Sequence, residues 1–169
     1  MKIYKLLFIV LLLGLSSYTF LGRTNINQPF HGKVTAITDG DTFKLLKKDS
    51  TLIRVRLANI DCPERKQPFS KRAKQFTSDA IFGKNVEILV LNKDRYGRFI
   101  ANVIYDDNKN LSKELLKAGM AWHFVKYSND STLQVLEDNA RKKKTGLWAD
   151  PNAIPPWNWR SHKKKKAKE

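Results

Sequence analysis

Cysteine occurs once in the 169 residues, at Cys62. An internal disulfide is therefore excluded, and the domain must stand on its hydrophobic core alone. Histidine is nearly as scarce. His31, His123 and His162 are scattered, and with one Cys they show none of the spacings of a zinc site. Acids are the third shortage: 16 Asp and Glu stand against 32 Lys and Arg, a net charge of +16. That imbalance points to a polyanionic partner, nucleic acid or an anionic membrane, with a solvated basic surface as the bland alternative. Long apolar runs are missing except at the start. Lys2 and Lys5 precede the run Leu6–Leu13, and Gly14, Ser16 and Ser17 follow it. This is the charged and apolar pattern of an export signal. Residues 1–22 are read as a cleaved signal peptide or, alternatively, an uncleaved membrane anchor, short against the ~20 residues a spanning helix needs.

What is present suffices for a core: 41% of residues are hydrophobic, with nine Phe, five Tyr and four Trp. Residues 23–29 read as a linker, 30–159 as one domain and 160–169 as a disordered basic tail. Short strands are predicted at Lys33–Thr38 and Thr42–Lys47, with the hairpin signal Asp39-Gly40 between them. A third strand runs through RVRLANI to Ile60, completing an antiparallel meander. The period then changes. Ala73, Phe76, Ala80 and Ile81 share a helical face over Ser70–Phe82, with Ser70 as a cap and Gly83 as a stop. Val86–Leu91 and Phe99–Tyr105 follow as strands, and Leu111–Ala118 and Thr132–Lys144 as helices. The class is α+β, mainly β: five strands and about three helices, matching a Greek-key barrel of the OB type. Trp157 and Trp159 are expected to fold back onto the domain, since exposing both is costly.

The third strand ends in a charged corner, Asp61-Cys62-Pro63-Glu64, and Asp41 sits beside the hairpin turn. Converging carboxylates repel one another unless a cation lies between them, and oxygen donors suit a hard ion such as Ca²⁺ or Mg²⁺. The competing reading leaves all three acids in separate solvated loops. Arg56 and Arg98 tilt the balance, because two guanidiniums beside a metal would share the charge of a phosphodiester. Arg56 lies five residues before Asp61, roughly 16 Å along a straight strand. A salt bridge between them therefore requires a curved strand.

DGDT, RVRLANIDCPE and DRYGR, in this order and at these separations, resemble staphylococcal nuclease and its thermonuclease relatives. GMAWHFVKY and NARKKKTGLW resemble that family's C-terminal helical region, so the likeness runs from about Gly32 to Trp148. The resemblance implies a calcium-dependent phosphodiesterase acting on DNA and RNA. It implies Asp41, Asp61 and the Cys62 backbone carbonyl as Ca²⁺ ligands and Glu64 as the candidate general base. Arg56 and Arg98 match its phosphate-binding arginines, and Tyr96 and Tyr127 its nucleotide contacts. Two departures stand out. Cys62 replaces a threonine, and the Pro63–Ser70 loop is shorter, with Lys66 inside it and Lys71 and Arg72 just beyond.

The expected function is that of an exported, calcium-dependent, sugar-nonspecific nuclease, monomeric, in which water attacks in line and leaves 3′-phosphate ends. The expected location is secreted or periplasmic, or outside the membrane on an N-terminal anchor, with membrane contact through that segment. The alternative is an OB-fold module that holds nucleic acid without cutting it. The presence of Asp41, Arg56, Asp61, Glu64 and Arg98 together argues against that alternative.

Overall fold

In strand β2 (Thr42–Lys47), Phe43 and Leu45 are buried while Lys44 and Leu46 face outward. In β3 (Leu52–Leu57), Val55 and Leu57 are buried and alternate with Arg54 and Arg56. The period of two thus puts one face of each strand on the core. The computed structural model describes residues 28–166. The export-signal segment 1–22 and nearly all of the linker lie outside these residues.

β1 (Phe30–Asp39) pairs antiparallel with β2 and with β5 (Asn85–Lys93), and β5 pairs with β6 (Phe99–Tyr105). A parallel pairing of β3 with β6, Val55 opposite Phe99, closes the order β3-β2-β1-β5-β6 into a five-stranded barrel. Two register shifts in β1 and one in β5 supply the extra twist that closure of so small a sheet demands. Short pairings add β4 (Ile60–Asp61) to β8 (Trp122–His123) and β7 (Lys109–Asn110) to β6. The fold is the expected OB-type α+β barrel.

Helix α1 (Ser70–Ile81) buries Ala73, Thr77 and Ile81, one residue per turn, against the barrel. Helix α2 (Leu111–Lys117) buries Leu111, Leu115 and Leu116, and its N-cap Asn110 accepts from the Lys113 amide. Helix α3 (Ser131–Lys142) is capped by Asp130. A short 3-10 turn (Gly146–Ala149) leads to α4 (Pro156–Lys166).

Four details differ from the sequence reading. The third strand breaks at Ala58-Asn59, where Asn59 has φ 66°, and resumes as β4. The two residues of the first hairpin turn are Gly40-Asp41 rather than Asp39-Gly40, because Asp39 pairs with Thr42. Phe69, in the left-handed region at φ 65°, is the cap position of α1, and no side chain caps that helix. The basic C-terminus, expected as a tail from Arg160, is helical to Lys166 because Pro156 opens a fourth helix ahead of it.

Candidate active site

Gly40 sets how closely the first hairpin approaches the corner after β3. A Cβ there would lie 2.8 Å from the Ala73 Cβ and 3.0 Å from both Cβ and Sγ of Cys62. Its carbonyl also accepts from the buried Thr77 hydroxyl. The hairpin is thereby clamped between α1 and residue 62, which brings Asp41 next to Asp61. Asp41 Oδ2 accepts from the Cys62 amide at 3.1 Å, and Oδ1 accepts from the Thr42 hydroxyl at 2.8 Å. The Cys62 side chain points into the core, and burial pushes its thiol well above the ordinary range.

The strand break at Asn59 resolves the distance between Arg56 and Asp61. With the chain turned there, Arg56 Nη2 reaches Asp61 Oδ1 at 2.7 Å and Asp41 Oδ2 at 3.4 Å. Nη1 donates to the carbonyls of Leu57 and Ile60, both at 3.2 Å. Burial opposes the charge on Arg56, but Asp41 and Asp61 outweigh it and hold the guanidinium above its ordinary value. Asp61 is 1% exposed. Burial pushes its carboxyl up, and the hydrogen bond from Arg160 and the charge of Arg56 only partly pull it back. The half-buried Asp39 is raised as well, first by burial and then by the charges of Asp41 and Glu64.

Glu64 follows on a loop tied down by Gln67, whose Oε1 accepts from the Glu64 amide at 2.9 Å. Arg98 enters from the start of β6, the strand that pairs parallel with β3. Asp94 organises the DRYGR turn: its Oδ1 accepts from the amides of Tyr96 and Arg98, and its Oδ2 accepts from Arg98 Nε at 2.8 Å. Gly97, at φ 76°, makes that tight turn possible. Burial acts to raise the Asp94 carboxyl, yet these bonds prevail and hold it below the usual range. Tyr96 is 62% exposed, with the guanidiniums of Arg95 and Arg98 5.4 and 5.7 Å from its ring centre. Tyr127 is 69% exposed and meets Phe124 edge to face.

All eight sequence-predicted site residues, Asp41, Arg56, Asp61, Cys62, Glu64, Tyr96, Arg98 and Tyr127, line a single cleft of about 880 Å³. Among the other lining residues, one that directly engages the acids, Arg160, escaped the sequence reading. Arg160, on α4, donates from Nη2 to Asp61 Oδ2 at 2.7 Å, from Nη1 to Asp61 Oδ1 at 3.3 Å, and to Glu64 Oε1. A signal for it existed: Pro156 marks a helix start, and Arg160 follows Trp157 by three residues, on the same face.

The donors suit a hard cation in kind, since the acids offer only oxygen and bury more negative charge than Arg56 neutralises. Among the described residues, no three Asp, Glu, His or Cys side chains draw together into a ready cage. Asp41 and Asp61 are thus the carboxylates nearest to acting as a pair, and further ligands would come from carbonyls, water or substrate.

The class is a closed OB-type barrel whose cleft gathers paired acids, arginines and exposed tyrosines. Comparison with known sequences makes this specific. The sequence profile described as Staphylococcal nuclease homologue matches residues 54–150. An uncharacterized endonuclease of Haemophilus influenzae is 43% identical over 132 residues, 78% of this chain and 74% of that protein. An uncharacterized endonuclease of Escherichia coli O157:H7 is 38% identical over 133 residues, 79% of this chain and 86% of that protein. The micrococcal nuclease of Shigella flexneri is 39% identical over 142 residues, covering 78% and 80%. The chain belongs to the staphylococcal nuclease family.

Proposed function

We propose that this nuclease hydrolyses phosphodiester bonds of DNA and RNA with little sequence specificity, is calcium-dependent, and acts outside the cytoplasm. The observation that carries the reading is convergence: three acids, two arginines and two tyrosines, drawn from the β1–β2 turn, β3, β4 and the loop after it, the β5–β6 hairpin and the segment after β8, open into one cleft.

Asp41, Asp61 and the carbonyl of Cys62 are the groups that would hold calcium. When bound, the ion would polarise a phosphoryl oxygen and lower the pKa of an attacking water. Arg56, with both terminal nitrogens engaged, fixes Asp61 and adds positive charge at the cleft floor. Arg98 lines the same cleft and grips the phosphate from a guanidinium that Asp94 has already oriented. Glu64 accepts the proton of, or orients, the water that attacks in line. The 5′ oxygen leaves and a 3′-phosphate remains. Tyr96 and Tyr127 offer exposed rings to stacked bases, an interaction indifferent to sequence.

The test is cleavage of plasmid and of RNA by the purified domain with calcium, with chelator, and with magnesium or manganese in its place. Absence of calcium-dependent cleavage would rule out the reading, and end-labelling of the products checks the 3′-phosphate. Export rests on residues 1–22, and the N-terminal mass of the secreted protein distinguishes a cleaved signal from an anchor. Among the described residues no helix is long and apolar enough to cross a membrane.

A further inference from the structure

The cleft carries a cation of its own. Asp39, Asp41, Asp61 and Glu64 gather negative charge at one end of it, and Arg56 offsets only part of that charge. The remainder suits a divalent ion. In this structure the position opposite Asp61 and Glu64 is taken by Arg160, which engages both oxygens of Asp61 and Oε1 of Glu64. A single guanidinium thus uses the oxygens that a metal and an attacking water would need.

The helix bearing it is fastened at two points. The Trp157 ring stacks on Phe124, 5.2 Å between centres and 5° from parallel. Gln67 donates from Nε2 to the Ile154 carbonyl at 2.6 Å while its Oε1 accepts from the Glu64 amide. One buried amide therefore ties the C-terminal segment to the loop that carries Glu64. The Arg160 side chain is 38% exposed, and α4 is no part of the strand pairings that close the barrel. Arg160 also lies beyond residues 54–150, the stretch matched by the family profile.

We propose that α4 is an autoinhibitory strap: Arg160 holds Asp61 and Glu64 in the metal-free protein, and a divalent cation gains them only as this guanidinium withdraws. The inference rests on the metal-dependent nuclease reading. It predicts that the chain binds calcium more weakly than its carboxylates alone would, because each binding event must first break a bidentate, charge-assisted pair.

The experiment is calorimetric titration of the metal-free chain, residues 23–169, with calcium in the absence of nucleic acid. Arg160→Ala is expected to bind calcium on the order of 10-fold more tightly than the wild type. Trp157→Ala, which leaves every carboxylate and arginine in place, is expected to shift affinity in the same direction by a smaller factor. Calcium should also speed tryptic cleavage after Arg160 in the wild type, as the strap lifts. Equal or weaker calcium affinity in Arg160→Ala overturns the strap alone. Should that variant not fold, unchanged affinity in Trp157→Ala does the same. No calcium binding by any of the proteins overturns the strap together with the calcium reading.

Discussion

Arg56 and Arg98 carry the same charge but are unequal subjects for mutation. Removing Arg56 leaves buried Asp41 without its charge partner and buried Asp61 with Arg160 alone, and is expected to cost about 3–5 kcal/mol of stability, so lost activity there would say little about chemistry. Arg98 and Glu64 are more exposed and bear on function directly. Arg98→Ala and Glu64→Ala should each lower turnover about 10²–10³-fold while circular dichroism and melting stay near wild type. Near-normal turnover in either removes that residue from the mechanism. Asp94→Asn should be milder, about 10-fold in kcat/KM, because Arg98 keeps its charge and loses only its orientation. The Asp94 carboxyl is held below its ordinary value of 3.8. Its contribution to stability is therefore fully present above that pH and fades as pH falls through the lower folded value. Urea melts of wild type and Asp94→Asn should accordingly differ at pH 7 and converge as pH drops below 3.8.

Among the elements, the clamp formed by the first hairpin and α1 is the one on which the acid pair depends. Gly40→Ala would force a Cβ against Ala73 and Cys62, at 2.8 and 3.0 Å, and is expected to cost about 1–3 kcal/mol. Because that strain moves Cys62 and Asp41 together, turnover should fall more steeply than stability, which paired kinetic and urea measurements will show. Elements of this kind were only half legible in the sequence. Strict alternation in β2 and β3, and the face repeated in α1, express burial directly, so they could be read. The break at Asn59 could not, because one left-handed residue leaves the hydrophobic pattern on both sides intact. Yet that break is what brings Arg56 to Asp61. Helix α4 was hidden for a different reason: prolines at its start and lysines in its last turn read as loop and tail, while its anchoring ring, Phe124, lies 33 residues upstream of Trp157.

The whole molecule adds the long-range field. The sequence carries a net charge of +16 while the floor of the cleft is acidic, so attraction of a polyanion comes from outside the cleft and chemistry from its centre. Cleavage efficiency, measured as kcat/KM, should fall steeply between 50 and 200 mM salt, while kcat at saturating substrate changes little. On the proposed calcium dependence, stability should respond to the ion as a whole-molecule quantity. Calcium at ~100 times its dissociation constant should add about 2.7 kcal/mol, read as a raised melting temperature that chelator reverses.

The position of Cys62 has a further use. Its sulfur lies beneath Gly40 and beside Ala73, 3% exposed, with its thiol pushed toward the unreactive protonated form. A lone sulfhydryl stored in this way will not cross-link two chains in an oxidising medium. Its rate of labelling by a disulfide reagent then acts as a stopwatch, recording how often the hairpin lifts off α1.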